Sequence, residues 1–100
     1  MTTDEKMYAL NSLGDARVDM REPGDWYCFV RGAEIGGDGF LRSEFGRGPT
    51  PQAAIDDAFR LFTQPAPGRH VVIDAYRSSR YAVRWTGFMW EPVQEAEAKR

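Results

Sequence analysis

The stretch Gly46-Arg-Gly-Pro-Thr-Pro-Gln-Ala-Ala-Ile-Asp-Asp-Ala-Phe-Arg-Leu-Phe-Thr-Gln-Pro65 constrains the fold more than any other, because it marks both ends of a helix. Thr50 is a favourable N-cap, and Pro51 suits the first helical position, where its missing N–H has no intrahelical partner to lose. Ile55, Ala58, Phe59 and Phe62 recur at i, i+3, i+4 and i+7 and draw one apolar stripe, while Gln52, Asp56, Asp57 and Arg60 lie off it. Pro65 and Pro67 end the helix, so it spans Pro51 to Gln64. A helix with one apolar stripe must cover something, and the flanking segments read as strands.

Ala16, Val18 and Met20 alternate with Arg17, Asp19 and Arg21, and Trp26 to Val30 is apolar on both faces. Such a strand is covered twice: once by the helix, and again by the N-terminal segment, a second subunit or a partner. Gly32 to Gly39 reads as a long glycine-rich connection, followed by a return strand from Phe40 to Phe45. After the helix, Val71 to Tyr76 and Tyr81 to Thr86 form a hairpin. A three-residue loop at Ser78 to Arg80 would pair Ala75 with Val83 and Ile73 with Trp85, and set Asp74 opposite Arg84. Thr86-Gly87 is then a tight turn or a bulge, and a tight turn would put Phe88 beside Trp85 on the inner face.

The expected fold is α+β, with one antiparallel sheet of about five to six strands packed on a single main helix, in the order β-β-β-α-β-β with a further strand allowed at the end. Ile55, Phe59 and Phe62 should pack on Val71, Ile73, Val83 and Trp85. The Thr2–Glu5 spacing allows a short N-terminal helix. Residues 1–13 otherwise read as a weakly structured segment, and 94–100 as a frayed, charged tail.

One hundred residues, 42% apolar and with three Trp, make a single globular domain, 1–100. Net charge is −2, with six acids against three bases in residues 1–25 and four Arg against two acids in 65–93. That imbalance is too small for a nucleic-acid footprint, so a nucleic acid is disfavoured as partner. A lone cysteine and the absence of a signal-like or membrane-spanning run point to the cytoplasm and to no membrane.

No catalytic, cofactor or metal set stands out, so neither enzyme activity nor a cofactor is expected. His70 and Asp74 are separated by four strand positions, roughly 13 Å, too far for an acid–base pair. Cys28 sits on a central strand as a small hydrophobe. One His and one Cys on separate elements do not make a metal site. Gly32 to Gly39 lacks the Gly-Lys-Ser/Thr ending of a phosphate loop. Arg47 and Gly48, just before a helix N-terminus, are the better candidates for an anion. Tyr76, Arg77, Arg80, Arg84 and Met89 fall on the outer side of the expected register and are residue types that interfaces favour, so they are the candidate partner-binding residues.

The unit from Val18 to Phe62, two or three strands and then Gly-x-Gly-x-Thr-Pro-x-x-Ala-Ile-x-x-Ala at Gly46 to Ala58, resembles the strand-strand-helix unit of HicB-like antitoxins. Small phage-encoded accessory proteins, including some anti-CRISPR proteins, carry a similar unit. The resemblance implies a small protein of the host cytoplasm that works by binding a larger protein complex. An antitoxin or nucleic-acid-binding regulator is the alternative, and a homodimer would supply the second cover for Trp26 to Val30.

Overall fold

The computed structural model describes residues 1–37, 41–74 and 80–93. It has two helices, α1 (Thr3–Asn11) and α2 (Pro51–Thr63). Its strands are β1 (Asp15–Glu22), β2 (Asp25–Arg31), β3 (Ala33–Gly36), β4 (Leu41–Arg42), β5 (Phe45–Gly48), β6 (His70–Asp74), β7 (Arg80–Trp85) and β8 (Trp90–Pro92). The α+β class is as expected. The single sheet is not: among the described residues the strands form a three-stranded sheet, β1-β2-β5, and a five-stranded one, β4-β3-β6-β7-β8, both antiparallel.

The two sheets meet where β2 passes into β3 with only Gly32 between them. Cys28 and Val30 of β2 are buried, and so are Ala33 and Ile35 of β3. The inward positions thus pass from even to odd numbers, and the extra residue between them is Gly32, at φ +90°. A positive φ suits glycine and inserts one residue without turning the apolar side outward. It also redirects the chain, so β1 pairs with β2 up to Asp15–Arg31 and β6 takes over the same side at Ala33–Ile73. Half of the stretch expected to be a loop is therefore strand. The return strand is correspondingly displaced from 40–45 to β4 and β5.

Helix α2 begins as its sequence dictates, with Thr50 Oγ1 accepting from the Ala53 N–H at 3.1 Å. Its seat differs from expectation. It lies chiefly on β2 and β5, and reaches the second sheet through Phe59, whose ring meets Trp85 edge-on with centroids 5.6 Å apart. The close seat depends on two glycines of β5. A Cβ on Gly46 would overlap the Ala54 carbonyl oxygen and the Ala58 nitrogen, and one on Gly48 would come within 2.5 Å of the Ala53 Cβ. Ala54, Ala58 and Phe62 are fully buried in the resulting core, together with Leu10, Cys28 and Val71.

The N-terminal segment is a capped helix and not a loose end. Thr2 Oγ1 accepts from the Glu5 N–H at 3.1 Å, and the Glu5 carboxylate accepts from the Thr2 N–H at 2.8 Å. The Thr2 backbone bond and then its hydroxyl hold the exposed Glu5 carboxyl below its usual range. Leu10 and Leu13 join the core, Lys6 pairs with Asp56 at 3.0 Å, and Trp90 Nε1 donates to the Ala9 carbonyl at 2.9 Å. Helix α1 is thus on the same side of the sheets as α2, so the first sheet's outer side is not its to cover.

The β6–β7 register is Val71–Val83, Val72–Ala82, Ile73–Tyr81 and Asp74–Arg80, four residues away from the expected pairing. An even displacement leaves the same residues facing the core, so the apolar pattern could not distinguish the two. The hairpin connection, 75–79, lies outside the described residues, as does the 94–100 tail. In this register Arg84 is opposite Glu91, and Asp74 is opposite Arg80. Beyond Trp85 comes a four-residue turn closed by Thr86 N–H to Met89 O at 2.9 Å, with Gly87 at φ +100° and Trp85 paired with Trp90. Phe88 is consequently 86% exposed, not inside.

Candidate functional site

Cys28 is fully buried in the core, and burial pushes its thiol up to about 11, so it is protonated and shielded at neutral pH. Ellman's reagent should label it only as fast as the protein unfolds in denaturant. Prompt labelling of the folded protein would mean that Cys28 is reachable. His70 and Asp74 occupy the two ends of β6. Among the described residues no three His, Cys, Asp or Glu cluster as metal ligands, and no helix is long and apolar enough to cross a membrane.

Arg47 and Gly48 belong to β5 and not to a loop. The Arg47 guanidinium holds both carboxylate oxygens of Asp25, at 3.0 and 3.1 Å, and its backbone N–H donates to Asp57 at 3.0 Å. Burial raises the Asp57 carboxyl, but the Arg47 N–H and the Arg60 side chain outweigh it and leave the net shift downward. Asp57 thereby occupies a donor on the free edge of β5, which limits strand addition there. The Arg47 charge offered to an anion is thus held by Asp25, and Gly48 lies under the close seat of α2.

The candidate partner-binding residues fall only in part within the described residues. Tyr76 and Arg77 lie outside the described residues, and Arg80 is placed by its backbone at the start of β7. Arg84 is paired with Glu91 at 2.7 Å. Met89, 56% exposed, stands beside Phe88 at the β7–β8 turn. Across from this turn, Met1 and Tyr8 of the N-terminal helix region are also exposed, and together with Trp85 and Trp90 they line one apolar depression. The turn is held from within, since Thr86 Oγ1 accepts from the Phe88 N–H at 3.2 Å and the Met89 N–H at 3.1 Å. Beneath it the Trp85 and Trp90 rings contact at 5.0 Å and tie the turn to both helices through Phe59 and Ala9.

A second surface is the outer side of the first sheet. Because Gly46, Gly48 and Cys28 point to α2, their neighbours Phe45, Arg47, Tyr27 and Phe29 point away from it. Tyr27 stacks on Phe29 at 5.7 Å and meets Phe45 edge-on at 6.1 Å. Met20, Arg21, Ser43 and Glu44 complete a shallow groove around them.

Tyr8, Phe88 and the Tyr27–Phe29–Phe45 cluster were not among the residues singled out from sequence. The two-faced apolar pattern of Trp26 to Val30 did signal the aromatic cluster. For Phe88 the usable signal was Thr86-Gly87, a hydroxyl and a glycine suited to a short closed turn that carries the next residue outward. No protein-family model, curated protein or solved structure matches the chain.

Proposed function

We propose that this is a non-enzymatic protein-binding inhibitor or adaptor that acts on a larger protein assembly, in the manner of a phage-encoded anti-CRISPR protein. What supports the reading is one observation: Phe88 and Met89 project from a turn whose backbone is closed by Thr86 and footed on the Trp85–Trp90 pair. Exposed Phe and Met normally lower solubility, and on a fixed turn they lose little conformational freedom when a partner covers them. Tyr8 and Met1 enlarge the same apolar area, and Arg84 with Glu91 lies on the adjoining strands as a polar border. An apolar centre with a charged border is the composition of a protein interface.

The test is a pull-down from host lysate with the wild type beside a Phe88→Ala, Met89→Ala variant and an Arg80→Ala, Arg84→Ala variant, each with wild-type circular dichroism. A co-purifying protein lost with the first variant supports the reading, since truncating an anchor residue costs about 2 kcal/mol, or roughly thirtyfold in affinity. Loss with the second as well extends the site to the arginines. A partner retained by both variants rejects this surface, and no partner at all rejects the inhibitor reading in that host.

A further inference from the structure

We propose that the outer face of the β1–β2–β5 sheet binds a second copy of this chain, forming a two-fold symmetric dimer centred on Tyr27, Phe29 and Phe45. The inference concerns a different surface from the β7–β8 turn and stands apart from the function proposed above.

A two-fold interface must be complementary to itself, so its patch has to carry both signs of charge in positions that the symmetry brings together. Register places the outward residues of this face in two adjacent rows. One row is Arg17, Phe29, Phe45, and the next is Asp19, Tyr27, Arg47. Two sheets stacked face to face can be related by an axis running along the strands or across them. An axis along β2 exchanges the flanking strands, so Asp19 meets Arg47 of the second copy, Arg17 meets the Phe45 ring, and Tyr27 and Phe29 meet their own counterparts. An axis across the strands, between the rows, sets Arg17 over Asp19, Phe29 over Tyr27 and Arg47 over the Phe45 ring. The first axis would also set Asp25 and Arg31, which share this face on β2, each against its own counterpart, whereas the second sets Arg31 over Asp25. The axis across the strands is therefore the one that matches opposite charges or rings along β2 and β5.

Arg17 is held by Asp15 and Arg47 by Asp25, each at 3.0 Å, so the arginines would enter the interface already neutralised. Phe45, 43% exposed at the sheet edge, gains from a cover. Helices α1 and α2 both lie on the opposite side, so no described element of the chain competes for this face. A nucleic acid would also stack on these rings, but Asp15, Asp19 and Glu44 among the arginines repel a polyanion.

Sedimentation equilibrium at tens of micromolar should give the mass of a dimer for the wild type and of a monomer for Phe45→Glu, with unchanged far-ultraviolet circular dichroism. Phe88→Glu, on the other surface, should remain dimeric. Should Phe45→Glu fail to fold, Asp19→Arg, at an exposed position, serves in its place, because it sets a positive charge against Arg17 of the second copy. A monomeric wild type would overturn the proposal, as would a dimer that survives the variant that folds. A wild-type monomer that shifts a single-stranded oligonucleotide would overturn it in favour of a nucleic acid.

Discussion

Gly46→Ala should lower the thermal midpoint by more than about 10 °C, corresponding to about 3 kcal/mol at the upper end of what overpacking costs in a domain of this size. The added methyl has nowhere to go. It would overlap the Ala54 carbonyl oxygen and the Ala58 nitrogen, and stand 2.7 Å from the Ala58 Cα. All three are backbone atoms of α2, so no rotamer change makes room, and the helix has to lift from β5. Lifting it opens the packing around Ala54, Ala58 and Phe62, each of them fully buried. Gly24→Ala is the matched control. Gly24 has φ +78° and nothing near its Cβ position, so it incurs only the left-handed backbone penalty, about 1–2 kcal/mol. Denaturant titration of both variants distinguishes crowding from strain. A loss at Gly46 no larger than that at Gly24 would mean that α2 does not rest on the β5 backbone.

Phe62→Ala should cost about 3–5 kcal/mol, a large share of the stability of a 100-residue domain. Phe62 is fully buried, in the core cluster that also holds Ile35, Val71 and Val83. Phe59 is one turn back on the same stripe and would rank equally by sequence. It is only half-buried, though, with its ring edge against Trp85 and the Lys6 ammonium 5.8 Å from its centroid. Its truncation should cost about half as much or less, because part of the ring already faces water. Equal losses at the two positions, or a larger one at Phe59, would show that the stripe is rotated from the orientation described.

The helix α2 was legible nearly residue by residue, since its cap, its proline start and its proline stop act through neighbouring backbone atoms. The capping box of α1 was legible for the same reason, but the burial of Leu10 and Leu13 was not. A short helix of low amphipathicity owes its place to what it packs on, here α2 and the Trp90 indole. The strand alternation of Ala16 to Met20 and the two-faced character of Trp26 to Val30 were also readable, because side chains on a strand alternate whatever the strand pairs with. Of the two candidate surfaces, the aromatic face was signalled by Trp26 to Val30, and the β7–β8 turn only by Thr86-Gly87. The arginine set rested on residue type and on the outer side of an expected β6–β7 register, which does not say that Arg84 is opposite Glu91 on β8.

Local chemistry therefore determined the element types, the helix ends and which residues of each strand are apolar. Pairing decided the rest. A displacement of the β6–β7 register by four residues keeps the same side chains inward, so only the contacts of Val71 with Val83 and of Val83 with Pro92 select among the options. One extra residue at Gly32 exchanges inward for outward positions, and a scan for strict alternation reads that break as the end of a strand. In the folded chain it is a bend, because β1 leaves the edge at Asp15 and β6 arrives to pair with Ala33. In the sequence Gly46 and Gly48 are marked only by their place just before a helix N-terminus. They are held in β5 by a requirement that exists only once α2 lies across them, which is the absence of two Cβ atoms where two backbones meet.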